Sequence, residues 1–110
     1  MNALEQGDII EVDFTPALGH EPAKVRPAVV ATVYAFNSRS SLVMLIPVTT
    51  TDNGYPLHVP LRGYGAFGFA CVEQMRAVDI AQRGYRYLGY ADDQTMSAIM
   101  SSLRGLFGLR

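Results

Sequence analysis

Between Asp8 and Tyr90 the apolar residues come in short runs, rich in Val and Ile and broken every few positions by Gly, Pro, Asn or Asp. None of these runs has the length and the three- and four-residue spacing of a helix, so their side chains have to be buried in strands. Ile10, Val12 and Phe14 alternate with Ile9, Glu11 and Asp13, the period of a half-buried strand. Pro27 to Tyr34 and Leu42 to Val48 read as adjacent central strands, joined across the turn-like Phe36-Asn37-Ser38-Arg39-Ser40. Leu57 to Leu61 and Phe67 to Glu73, joined across glycines at 63 and 65, and then Arg86 to Tyr90, extend the set to five or six strands. At this spacing, with no helix between them, they predict a mainly β, small SH3-like barrel rather than a parallel sheet.

The period changes at the C-terminal end. After Asp92-Asp93, which can cap a helix and complement its positive end, Met96, Ile99, Met100, Leu103, Leu106 and Phe107 recur at helical steps. This predicts one amphipathic helix whose apolar stripe packs on its own barrel, with a dimer face as the second reading.

A chain of 110 residues supports a single core and is read as one domain. It is 49% hydrophobic and 17% charged, too apolar for disorder, with some excess available to cover a partner. The longest apolar stretch, Ser41 to Val48, is far short of the roughly 20 residues that cross a bilayer. The start, Met1-Asn2-Ala3-Leu4-Glu5-Gln6-Gly7-Asp8, lacks the basic and apolar segments of a secretory signal, which makes the cytoplasm the expected location. Cys71 is the only cysteine, so an internal disulfide and a cysteine-clustered zinc site are excluded. Flanked by Ala70 and Val72, Cys71 reads as a buried small apolar residue. No His-Glu-His or acidic cluster suggests a metal, and no cofactor is expected. A net charge of −1 argues against a strong nonspecific nucleic-acid binder, so any RNA contact requires a local basic pocket.

Two loops stand out: Thr15 to Val25, long enough to carry function, and Thr49 to Pro56, with Asp52-Asn53-Gly54 as its turn signal. If the second and third strands pair as an antiparallel hairpin, the start of one lies beside the end of the other. His20, Glu21, Lys24, Arg26 and Thr49 then converge on one rim. That set suits RNA cleavage, because RNA supplies its own 2′-OH nucleophile. The protein adds only a base, donors for the crowded phosphorane and an acid for the leaving 5′-oxygen. An arginine fork can hold two phosphoryl oxygens and a threonine hydroxyl can add a third hydrogen bond, without a metal. Each residue taken singly reads equally well as a solvated surface group.

The phrases Gly7-Asp8-Ile9-Ile10-Glu11-Val12-Asp13-Phe14, Gly19-His20-Glu21, Arg26-Pro27-Ala28-Val29-Val30, Pro47-Val48-Thr49-Thr50, Gly54-Tyr55-Pro56 and Glu73-Gln74-Met75-Arg76-Ala77-Val78-Asp79 supply the combination. In order and spacing they resemble the MazF/PemK family of toxin endoribonucleases over nearly the whole chain. The resemblance implies an SH3-like barrel with a C-terminal helix (a CcdB/PemK-like fold) and a homodimer. It also implies an antitoxin partner with a flexible, acidic tail, and cleavage of single-stranded RNA to 2′,3′-cyclic phosphate and 5′-OH ends.

Carried over by position, Arg26 and Thr49 match the family's catalytic arginine and threonine. Glu21 and His20 are alternative bases, and Glu73 and Gln74 match positions that contact RNA bases. Where histidine-using members carry a second arginine, this chain has Cys71-Val72-Glu73-Gln74, with Lys24 left to compensate. Tyr55 is read as a base-stacking or loop-fixing residue, Arg83 and Arg86 as phosphate contacts or solvated edge residues, and His58 as structural or exposed. Two other classes stay open: a gyrase-directed toxin of the same fold, whose relatives carry a tryptophan near the C-terminus that this chain lacks, and an SH3-like module that binds RNA or peptide without cutting it.

Overall fold

A computed structural model describes residues 2–14, 25–51, 54–61 and 63–109. Eight strands form one antiparallel sheet: β1 (Asp8–Asp13), β2 (Val25–Val30), β3 (Leu42–Thr49), β4 (His58–Pro60), β5 (Gly63–Tyr64), β6 (Phe69–Cys71), β7 (Arg76–Asp79) and β8 (Arg86–Ala91). Three helices complete the described elements: α1 (Tyr34–Asn37), α2 (Ile80–Arg83) and α3 (Asp93–Leu106). The hydrogen-bonded order is β4-β6-β3-β2-β1-β8-β5, with β7 joined to β3 beside that path. The chain is mainly β, as the strand spacing predicts: a curled antiparallel half-barrel with a C-terminal helix.

The central strands are buried on both faces, and this explains why their sequences run apolar instead of alternating. One face of β1, β2 and β3 contributes Ile9, Val29, Ile46 and Val48 to a core that also holds Ile99 of α3. The other contributes Ile10, Val12, Ala28, Val30, Val43 and Leu45 to a second core closed by Leu4, Val78 and Ile80. Ile9, expected on the polar side of its strand, is fully buried for this reason.

Four boundaries differ from expectation. β2 ends at Val30, and residues 34–37 form the short helix α1 where a longer strand and a turn are predicted. Asn37 is the cause: it is fully buried, its Nδ2 donates to the carbonyls of Leu4 (2.8 Å) and Thr32 (3.0 Å), and its Oδ1 accepts from the Thr32 hydroxyl at 2.6 Å. A polar side chain bonded twice to Thr32, five residues away, and once to the distant Leu4 carbonyl favours a compact turn over an extended strand. The predicted strand from Phe67 to Glu73 stops at Cys71, where Val72–Gln74 make a 3₁₀ turn, and the chain then resumes pairing with β3 as β7. Gly63, read as part of a turn, instead pairs with Ala91 of β8. The predicted strand from Leu57 to Leu61 shortens to β4.

Helix α3 begins as predicted, with the Asp92 carboxylate accepting from the Thr95 backbone N–H at 2.8 Å. Met96, Ile99, Met100 and Leu103 pack on the first core, whereas Leu106 and Phe107, 46% and 62% exposed, continue the stripe into solvent with Leu109.

Two glycines are held by close approach. At Gly68, φ is +138° and an added Cβ would lie 2.3 Å from the Thr49 carbonyl oxygen; at Gly65, φ is +110° and it would lie 2.2 Å from that of Leu88. Gly68→Ala is therefore expected to lower the thermal midpoint and weaken any activity that depends on Thr49, read by circular dichroism and an RNA cleavage assay. Asn37→Ala leaves buried acceptors unpaired, and urea denaturation is expected to show a loss of about 1–3 kcal/mol.

Candidate active site

The β2–β3 ladder sets Ala28 opposite Pro47, Val29 opposite Ile46 and Val30 opposite Leu45. Continued by two residues past Ala28, the same register sets Arg26 opposite Thr49, so the hairpin argument made from the sequence holds. Arg26 also pairs with Val12 of β1, and Thr49 with Phe69 of β6, so both residues lie within a continuous sheet. Neither ion pair among the described residues engages Arg26. The Thr49 hydroxyl accepts a hydrogen bond from the Thr51 N–H at 3.2 Å, which fixes the oxygen and leaves its proton as a donor.

Strands β6 and β4 bring further groups to this rim. Cys71, opposite His58 in the β4–β6 ladder, is 2% exposed. Burial pushes its thiol above the usual range and the Glu73 charge adds to this, while the Arg26 guanidinium and the Thr49 backbone act against it. The Arg26 and Glu73 charges are thus both felt at Cys71, with the buried thiol, as the composition suggests, a small apolar filler rather than a nucleophile.

His58, read from sequence as structural or exposed, has its side chain 7% exposed and its Nε2 only 2.9 Å from Glu73 Oε2. Tyr55 meets the His58 ring edge-on, with centroids 5.1 Å apart and planes at 82°, and its carbonyl accepts from the His58 N–H at 2.9 Å. That geometry supports the loop-fixing role of Tyr55, although the ring is 45% exposed and offers a face to solvent as well. Gln74 is exposed and donates to Glu73 Oε2 at 3.3 Å.

Arg83 does not stand free at a strand edge: its Nη1 donates to the Asp13 carbonyl at 2.8 Å. Because Asp13 faces Val25, that anchor lies beside Arg26 in sequence and in space. Arg76, which sequence reasoning passed over, reaches the same end of β1, lying 4.5 Å over the Phe14 ring and donating to its carbonyl at 3.3 Å. Its strand, β7, is not among those read from the sequence, where the preceding strand ends at Glu73. Arg26, Arg76 and Arg83 form a local basic rim on a chain whose net charge is −1. Arg86 is directed elsewhere, to Glu11 at 3.1 Å. His20, Glu21 and Lys24 lie outside the described residues, as do Asp52 and Asn53 of the second loop.

A cation fork, a fixed hydroxyl donor and a partly buried carboxylate–imidazole pair are the groups that a candidate site for an anionic, hydrogen-bonding ligand such as a phosphodiester would use. Comparison with known proteins agrees. The family model of the PemK-like, MazF-like toxin of type II toxin-antitoxin systems matches residues 5–107, and the chain belongs to that family. It is 33% identical over 104 residues to the endoribonuclease toxin MazF of Escherichia coli (strain K12), covering 94% of both chains. It is 31% identical over 109 residues to the endoribonuclease toxin ChpB of the same organism, covering 94% of this chain and 93% of that one. A crystal structure of MazE-MazF from Deinococcus radiodurans superposes with a TM-score of 0.89 at 29% identity, covering all of both chains.

Glu73 carries a pH signature. Burial alone would raise its carboxyl, but the hydrogen bond from His58, its own backbone N–H, the charge of His58 and the Gln74 amide outweigh this and hold it below the usual carboxylate range. A depressed acid contributes stability that is fully present above its unfolded value, about 4.3, and is lost as pH falls through the folded value. The thermal midpoint of the wild-type protein is therefore expected to fall more steeply between about pH 5 and pH 3 than that of Glu73→Gln, measured by circular dichroism.

Proposed function

We propose that this toxin cuts single-stranded RNA without a metal, with Arg26 and Thr49 stabilising the phosphorane formed when a ribose 2′-OH attacks the adjacent phosphate. The antiparallel register of β2 and β3, which extended by two residues would set Arg26 opposite Thr49, supports this reading. Endoribonuclease is the activity named for its relatives MazF and ChpB, and the chain matches them over more than nine-tenths of its length.

The chemistry follows from the groups present. The 2′-oxygen forms a bond to phosphorus and the bond to the 5′-oxygen breaks, leaving a 2′,3′-cyclic phosphate and a 5′-OH. The Arg26 guanidinium offers parallel N–H donors to the phosphoryl oxygens and stays charged at any working pH. The Thr49 O–H adds a neutral donor whose direction is set by the Thr51 N–H. Proton removal from the 2′-OH falls to Glu21 or His20, the departing 5′-oxygen takes its proton from the other of these two groups or from water, and Lys24 adds positive charge. Glu73, Gln74, Tyr55 and Arg83 are the remaining RNA contacts, the first two for base edges, Tyr55 for stacking and Arg83 for phosphate.

The partners follow the same logic. A locally basic rim on a nearly neutral chain suits both RNA and the acidic tail of a cognate antitoxin, and the Deinococcus relative is itself described as a MazE-MazF complex. Leu106, Phe107 and Leu109 are exposed apolar groups of the kind that a second copy covers in a homodimer. No helix among the described residues is long and apolar enough to cross a membrane, and the expected site of action is the cytoplasm, where its RNA substrate is.

Purified protein is expected to cleave a long RNA in EDTA, with cyclic-phosphate ends. Arg26→Ala and Thr49→Val should each lower the rate at least about a hundredfold, in line with the loss of one charged or preorganised donor, while the fold is retained by circular dichroism. Cleavage that requires a divalent metal, or full activity in Arg26→Ala, would sink the assignment.

A further inference from the structure

Buried polar atoms without partners are uncommon in folded proteins. Two of them belong to the ion pair beside the active rim: His58 Nδ1 and Glu73 Oε1. The other two polar atoms of that pair are engaged, His58 Nε2 with Glu73 Oε2 at 2.9 Å, where the Gln74 amide also donates at 3.3 Å. One oxygen of the carboxylate therefore has two donors, and its twin has none. With the carboxyl held ionised, the proton of the contact resides on His58 Nε2. Neither open atom has a partner among the described residues, and the Oε1 of the ionised carboxylate calls for a donor.

The two side chains differ in how firmly they are held. His58 sits on β4, paired with Cys71 across a regular ladder. Glu73 sits on the 3₁₀ turn between β6 and β7, where its backbone is outside the sheet. Without a fixed partner the Glu73 carboxylate is free to rotate, and either oxygen could face the groove. The contact with His58 removes that freedom.

We propose that His58 is a positioning residue for RNA choice: by fixing one oxygen of Glu73 it reserves the other, Oε1, for the exocyclic amine of a base lying beside the scissile phosphate. The inference rests on the ribonuclease reading above and adds to it a residue that governs what the base-reading carboxylate presents. Adenine, cytosine and guanine each carry an amino group that a carboxylate accepts from. Uracil offers N3–H between two carbonyl oxygens whose lone pairs repel the same carboxylate. A base-edge contact of this kind discriminates by about ten- to a hundredfold. Oε1 is itself buried, so a base reaches it only if a neighbour moves aside, and the half-exposed Tyr55, edge-on to His58, is the group proposed to do so.

The test maps cleavage ends on a long RNA in EDTA for wild type, His58→Leu, His58→Gln and Glu73→Gln, with folding checked by circular dichroism. Wild type is expected to favour amino-bearing bases at one position of its motif. His58→Leu should lose that preference about tenfold or more while keeping selectivity elsewhere in the motif. His58→Gln, whose amide can still donate to Oε2, should retain most of it, and Glu73→Gln, which adds a donor at the reading end, should admit uracil. A folded His58→Leu protein with the wild-type profile, or with a rate lowered equally at every site, overturns the proposal. A wild-type motif with no amino preference at any position does the same. Should His58→Leu fail to fold, an unchanged profile in Glu73→Gln overturns it alone. Absence of cleavage by wild type sinks the ribonuclease reading and this inference together, whereas the other failures leave that reading intact.

Discussion

Most of the molecule depends on the pairing of β3 along both of its edges. Residues 45–47 bond to β2 on one side, while on the other the N-terminal half of the strand bonds to β7 and its last two residues to β6. A strand held this way cannot slide, because a one-residue slip would turn Ile46 and Val48 out of one core and Val43 and Leu45 out of the other. The locked register, extended by two residues, sets Arg26 opposite Thr49. The chemistry proposed for the pair would then be supported by two hydrophobic cores that contain neither side chain.

Charge is used sparingly. The described arginines at the rim are tied by hydrogen bonds to carbonyls at the end of β1, except for Arg26, which neither ion pair engages. Arg76 and Arg83 thus fix strand ends and add to the local positive potential, and Arg26 is engaged by neither ion pair. In a chain with nearly balanced charge, long-range attraction for RNA is weak, and binding must be earned by close hydrogen bonding in the groove.

Much of this was legible in the sequence, and the exceptions have physical causes. The strand-rich middle, the capped C-terminal helix and the Arg26–Thr49 juxtaposition follow from period, composition and antiparallel pairing. Ile9 was misplaced because alternation assumes a face solvated along its whole length, whereas that face of β1 is covered by the first core at Ile9 and opens only toward Glu11 and Asp13. Asn37 gave no signal in a segment of turn-like composition, since its role comes from carbonyls of Leu4 and Thr32, the first of them distant in sequence. The break at Val72–Gln74 was hidden because both arms that flank it pair with the same strand and share its apolar pattern. His58 looked unremarkable because its partner, Glu73, lies across a strand pair, and no local pattern announces such a contact.

The 3₁₀ turn at Val72–Gln74 divides the labour of the site between two kinds of backbone. Arg26 and Thr49 belong to the sheet, where a change of geometry propagates through paired strands. Glu73 and Gln74 belong to a short detour whose arms are each anchored separately to β3, so side chains there can be exchanged without disturbing the ladder on either side. If the proposed roles hold, a protein built in this way can alter which RNA it chooses while the means of cutting it stays constant. Families of toxins with one reaction and many target sequences are what such an arrangement permits.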